Sequence, residues 1–335
     1  MENTKKQKNN VRKSFIRFRQ FGLVAIIVLL SVIVQLQNAN YLTVENLHDM
    51  LKNAAILGIL TIGMMMVIIT RGIDLSIGAT LALSGMTTAM MVANHPGLPV
   101  IGALGIGVGV GVVCGLIIGF LVAKIKILPI IATLGMMNVY RGLTYIISKG
   151  KWVSANQMSA SFKAISTGNF LGVSTLIWIA AVMFAIAYYF LEHTRTGRKI
   201  YAVGSNPESA KISGINCSRT YMLVYTIMGA LAGLAGVLWV SKFASAQGDT
   251  AVGYEMDVIA ACVLGGVSIA GGSGRISGIV LGTLLFGIIN NALPLVDISA
   301  FWEDALQGLI IIVAVLLNVF VKRAVDRNNM SRRVI

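Results

Sequence analysis

Few side chains in this sequence can do chemistry, and most of those sit at the edges of apolar runs. Asp74 leads into one such run, with Arg71 three residues before it, and Asp257 leads into another. A carboxylate there can accept from the amides of the turn that follows, and the nearby arginine can pair with it. Asp74 and Asp257 therefore read first as structural or gating residues. Asn138 and Arg141 lie three apart on one helix face. Arg141 is the only charge well inside an apolar run, so it needs a partner, water or a route to the surface. Glu255 or Asp257 could neutralise it, and its long stem could carry the charge outward. Asn290 and Asn291 are adjacent and project to different sides of one helix. An amide both donates and accepts, which suits a hydroxyl-rich solute, but it also serves to bond neighbouring helices. Asn138, Arg141, Asn290 and Asn291 are the candidates for contact with a polar solute, set against a packing role.

Catalytic constellations are missing. No GxxxxGK[ST] loop is available to cradle a nucleotide, no HExxH helix to hold zinc, and no GxSxG elbow to present a nucleophile. The three histidines, His48, His95 and His193, are scattered, and Cys114, Cys217 and Cys262 form no CxxC. Neither a cofactor nor a metal is expected.

The elements that position these residues must lie in a membrane. Of 335 residues, 56% are hydrophobic and only 12% charged, with a mean hydropathy of +0.81. A soluble domain carries about 25% charged residues. Ten stretches approach the roughly 20 apolar residues a spanning helix needs: 21–37, 54–70, 75–93, 99–123, 127–148, 171–191, 220–241, 256–272, 276–295 and 305–321. The eighth ends in glycines and reads as short or broken. With both termini cytoplasmic, 21 of the 27 Lys and Arg fall inside and 5 outside, leaving Arg141. That split follows the positive-inside rule, so the net charge of +14 reports orientation, not nucleic acid. The acids Asp249, Glu255, Asp257, Asp297, Glu303 and Asp304 fall at the outer side. The chain divides into a basic cytoplasmic tail, 1–20, a membrane-spanning domain, 21–321, with the long inner loop 192–218, and a second basic cytoplasmic tail, 322–335.

The chain echoes itself after five spans. An acid leads into a Gly/Ala-rich run at Asp74 and again at Asp257. Gly111, Gly115 and Gly119 recur every fourth residue in span four, as do Gly278 and Gly282 in span nine. A repeat offset by an odd number of spans must be inverted in the membrane. The fold class is thus an all-α integral membrane protein of about ten spans with an inverted five-helix repeat.

The longest inner connection, 192–218, contains Gly197 and Arg198, followed by Asn206-Pro207-Glu208-Ser209-Ala210-Lys211-Ile212-Ser213-Gly214. Asn206 can cap a helix, Pro207 and Glu208 suit its first turn, Lys211 its last, and Gly214 its end. A two-turn helix on the cytoplasmic face follows, either a plain connector or a docking knob.

Arg71-Gly72-Ile73-Asp74-Leu75-Ser76-Ile77-Gly78 resembles the GIDLS-G signature of ribose-type ABC importer permeases. Further matches are Ile131-Ala132-Thr133-Leu134 with Arg141-Gly142, the loop from Thr196-Gly197-Arg198 to Gly214-Ile215, Gly253-Tyr254-Glu255-Met256-Asp257 with Val263-Leu264-Gly265-Gly266, and Gly271-Gly272-Ser273-Gly274-Arg275 with Asn290-Asn291. The similarity covers about 45 to 320, and it departs at Arg71, where the family carries a small residue. The resemblance implies a non-catalytic subunit of the bacterial inner membrane that passes a monosaccharide. It implies a second permease chain, ABC ATPase subunits on the cytoplasmic face and an external sugar-binding protein. Gly197, Arg198, Asn206, Glu208, Ala210 and Gly214 would then form the ATPase coupling segment. The rival is a self-sufficient secondary carrier using an acid–Arg141 relay. The related branched-chain amino acid permeases fit the GIDLS-type stretch less well.

Overall fold

The computed structural model describes residues 2–296, with side chains from Gln20 onward, and the isolated positions Trp302, Ala305, Gly308, Leu309 and Ile312. The expected tenth span, the acids Asp297, Glu303 and Asp304, and the basic tail 322–335 lie outside the described residues, apart from those isolated positions.

Twelve helices follow in order among the described residues: α1 Glu2–Gln37, α2 Val44–Ile69, α3 Ile77–Asn94, α4 Val100–Phe120, α5 Pro129–Ser148, α6 Ala160–Thr167, α7 Thr175–His193, α8 Arg195–Ser205, α9 Pro207–Ile212, α10 Cys217–Phe243, α11 Tyr254–Leu264 and α12 Ile276–Leu295. A small antiparallel hairpin, β1 Asn169–Phe170 and β2 Val173–Ser174, precedes α7. Among the described residues, eight helices are long and apolar enough to cross a membrane. The first runs into the basic tail, so 1–20 is largely a continuation of α1. The expected span 256–272 contracts to α11, whose 11 residues rise only about 16 Å.

Local chemistry sets the ends. Thr43 caps α2 by accepting from the Asn46 amide. Pro129 opens α5 at a position where its missing N–H costs nothing. Lys149, at φ 52°, closes the same helix, and the Gly150 amide returns to the Tyr145 carbonyl at 3.1 Å.

The core is built around α2, in which every residue from Ala54 to Ile69 is buried. Beside it, α4 and α10 meet backbone to backbone: a Cβ on Gly111 would run into the Gly229 carbonyl, and one on Gly229 into that of Gly111. Small residues permit this approach, which yields dispersion contact where lipid offers no hydrophobic drive. Ser84 of α3 pins both partners, donating toward Gly107 O at 3.0 Å and Gly233 O at 2.8 Å.

The packing carries the echo seen in the sequence. Helix α4 lies on α10 and α12 on α2; α3 lies on α10 and α11 on α2; α3 pairs with α4 and α11 with α12. Exchanging α2, α3 and α4 with α10, α11 and α12 leaves this set of contacts unchanged, as a five-span repeat requires. The glycines of α12 also serve close packing, with Gly282 against Gly265 and Gly287 against Ala54.

Candidate functional site

Helices α3 and α11 both begin inside the bundle. Thr133, near the start of α5, has its hydroxyl 3.2 Å from the Ile73 carbonyl, so the irregular 70–76 segment meets the beginning of α5 before α3 starts. From the opposite end, the 244–253 loop dips until Ala251 and Glu255 pack on Gly78 in the first turn of α3. Arg141, midway along α5, marks that level: its Nη1 donates to Gly248 O at 2.8 Å and Thr250 O at 2.7 Å. Two helix N-termini therefore converge in the middle of the molecule, each with acids in or before its first turn. Such discontinuous helices offer unpaired amides and a positive dipole end at membrane depth.

Each acid is held differently from the simple expectation. Asp74 is buried, and its Oδ1 accepts from the Ser76 amide at 2.9 Å and the Ser76 hydroxyl at 2.7 Å. Ser76, not Asp74, stands at the N-cap position. The carboxylate thus closes a tight turn ahead of the helix. Arg71 does not pair with it. Its backbone is left-handed, φ 65°, and this turns the guanidinium away, toward the carbonyls of Gly204 and Ser205. Asp257 is half-buried in the first turn of α11. Glu255 faces inward against α3 and so does not belong to an outer acidic rim.

The path candidates separate. Arg141 spends Nη1 on loop carbonyls and is half-buried, whereas Asn138 is exposed and bonds only its own helix, to Leu134 O at 3.1 Å. Asn138 sits on a face of α5 that also exposes Ile131, Leu134 and Val139. Asn291 makes a reciprocal pair with Asn46, 3.0 Å in each direction. Asn290 borders a half-open cleft between α2, α10, α11 and α12, while its Oδ1 is buried in the packing without a hydrogen-bond partner among the described residues. No group of three or more His, Cys, Asp or Glu suited to a metal occurs among the described residues.

At the far end of the bundle, the expected two-turn helix is present as α9. Asn206 Oδ1 accepts from the Ser209 amide at 3.0 Å, Pro207 and Glu208 fill the first turn, and Lys211 the last. Gly214, at φ 78°, takes the chain out, with the Ile215 amide returning to Ala210 O at 3.0 Å. Ala210 is buried, while Ile212 is 88% exposed.

Helix α8 was not anticipated, although Thr194 caps it and Gly197, Ile200, Val203 and Gly204 give it one buried face. Gly197 packs on the Leu191 and Phe190 carbonyls, while Arg198 is exposed. The end of α8 is locked to the core. Gly204 abuts the Ile69 carbonyl so closely that any Cβ would clash, and that carbonyl also accepts from the Gly272 amide at 2.9 Å. Tyr201 donates to Gly274 O at 3.0 Å; burial pushes its phenol up to about 12, so the proton stays in the bond. Arg71, α8 and the 268–275 loop thus form one joint beneath α2.

Residues 46–315 match the model of a family described as the permease component of the branched-chain amino acid transport system. This chain belongs to that family. The permease is 40% identical to the ribose import permease RbsC of Escherichia coli K12 over 89% of its own length and 93% of the relative's. It is 39% identical to RbsC of Bacillus subtilis, covering 87% and 89% of the two chains. It is 34% identical to the L-arabinose transport permease AraH of E. coli, covering 91% and 92%. No solved structure matches it. The permease is a multi-pass membrane component of an ABC importer and not an enzyme.

Proposed function

We propose that this permease passes a monosaccharide inward across the bacterial inner membrane, driven by ATP hydrolysis in separate subunits that dock on α9. The observation that supports the sugar over an amino acid is the naming of similar proteins for ribose and arabinose at 34–40% identity over about nine-tenths of the chain. The docking reading rests on α9 itself, which is capped at both ends and presents Ile212 to solvent. Gly197, Arg198, Asn206, Glu208, Ala210 and Gly214 form or support that segment.

The orientation that puts α9 in the cytoplasm also gives the positive-inside distribution. A second permease chain covers the exposed face of α5. An amide at Asn138 facing lipid would leave its second N–H and its oxygen unpaired in hydrocarbon, beyond the one bond to Leu134 O, a cost that a partner helix or a watered path removes. An external binding protein delivers the sugar at the end opposite α9.

The test is uptake by proteoliposomes that hold the permease with its ATPase and binding protein. D-Ribose or L-arabinose should accumulate only with all components and ATP. Accumulation driven by an ion gradient in the permease alone would instead support the secondary carrier.

A further inference from the structure

The β1–β2 hairpin stands at the start of α7, and α7 leads away from it into α8 and α9. The hairpin therefore lies at the end of the bundle opposite α9. Its strands pair Asn169 with Ser174 and Phe170 with Val173, which leaves Leu171 and Gly172 as a two-residue turn. Both turn residues are left-handed, φ 53° and 77°, the type I′ geometry that such short loops favour. Asn, Asp or Gly is the usual first residue of that turn, and a bulky side chain there is strained. Leu171 takes this strained position while its side chain is 79% exposed, and Phe170 beside it is 60% exposed. Packing within the chain thus offsets little of the strain, and the tip is apolar.

The base beneath the tip is braced. The Ser174 amide donates to His48 Nε2 of α2 at 3.0 Å, and the Ser174 hydroxyl donates to Ser166 O of α6 at 3.0 Å. Trp178, in the first turn of α7, donates from its indole nitrogen to Phe170 O at 3.1 Å. Its ring meets that of Phe170 edge to face, 6.3 Å between centres.

The neighbouring surface indicates what covers the tip. Trp178 heads an outward stripe of α7 that continues through Val182 and Ile186. No charged residue or histidine occurs from Ala164 to Leu191. The exposed face of α5 carries the amide of Asn138, but this stripe of a membrane-spanning helix has nothing that needs a protein partner or water, and it fits hydrocarbon. A tryptophan at the end of such a helix sits at the level of the lipid headgroups, ring toward the chains and N–H toward the polar layer. Phe170 packs on Trp178, so the tip shares that level. A hairpin without charge also has no means of steering or selecting a soluble partner by electrostatics.

We propose that Phe170 and Leu171 insert into the lipid interface of the leaflet opposite α9, and that the hairpin anchors the start of α7 there. Burial of the two side chains among lipid offsets the strained turn. The inference needs only a membrane-spanning permease and is independent of the solute carried.

The test uses the full-length permease with Cys217→Ser and Leu171→Cys, labelled with a polarity-sensitive fluorophore. Cys114 and Cys262 are buried and stay unlabelled. The protein is placed in nanodiscs of phosphatidylethanolamine and phosphatidylglycerol, and the same label on free cysteine in buffer is the reference. Phe170→Cys, labelled alike, repeats the reading if the first variant does not fold. Emission should shift to shorter wavelength than the reference. Lipids spin-labelled near the ester carbonyls should quench it more than lipids labelled at the chain end, and aqueous iodide should quench it less than the reference. Emission like that of the reference, with full iodide quenching and no quenching by lipid, would overturn the proposal. Stronger quenching from the chain end would overturn the interfacial placement. A shift that appears only when the external sugar-binding protein is added would assign the tip to a protein contact instead.

Discussion

Arg141 is a clamp before it is anything else. Its guanidinium supplies hydrogen to the Gly248 and Thr250 carbonyls of the loop that dips beside α3. Removing it leaves two acceptors without their donor in a poorly hydrated place. Arg141→Leu should therefore destabilise the permease by about 2 kcal/mol or more and lower its melting temperature in detergent by several degrees. Sugar uptake should fall with it, because the loop carries the start of α11. A variant that melts and transports like wild type would show the clamp to be dispensable. The sequence singled out Arg141 because an ion inside an apolar run needs an explanation. It offered only acids as partners, since spacing along one helix says nothing about which distant carbonyls a loop will present. Asp74 shows the same limit: its role ahead of α3 was legible, but a left-handed Arg71 that turns to α8 was not.

At the scale of elements, α9 was readable because every position of the motif Asn-Pro-Glu…Lys…Gly has a local reason. The preceding α8 was overlooked although a Thr cap and apolar residues at helical spacing announced it. Its two glycines count against a helix by propensity, and only packing explains them, Gly197 on the Phe190 and Leu191 carbonyls and Gly204 on that of Ile69. The length of α11 was uncertain for a similar reason, since Gly265 and Gly266 end a helix as readily as they pack one.

Three expectations belong here. Ile212→Asp or Glu208→Arg should abolish co-purification of the ATPase and uptake while the permease inserts at normal yield; normal co-purification would remove α9 from the contact. Arg71→Ala should loosen the joint without touching the docking surface. The ATPase should then bind normally but hydrolyse ATP with sugar uptake reduced, and a proportional fall in both rates would argue against a transmitting role. Between α4 and α10 the backbones already touch, so Gly229→Val should cost about 1–3 kcal/mol or more, read as a lower melting temperature.

The whole molecule is asymmetric in what it buries. Helix α2 is enclosed while α5 leaves Ile131, Leu134, Asn138 and Val139 uncovered. If that face meets a second permease, Asn138→Cys in a chain with Cys217 replaced by Ser should cross-link to a dimer on mild oxidation; Cys114 and Cys262 are buried and should stay silent. A strictly monomeric product would place the seam elsewhere. Composition made the membrane class plain and the five-span echo was visible in the glycines, because both follow from many residues at once. The depth at which α3 and α11 begin was not, since it depends on how two loops fold back. That depth has a consequence for how the chain is made. With 11 residues, α11 is too short to bridge a hydrocarbon layer of about 30 Å as it leaves the ribosome. It cannot be inserted on its own account. It must wait, half-threaded, until α12 has been synthesised and can close over it against α2, so a later part of the permease decides whether an earlier part ever finds its place.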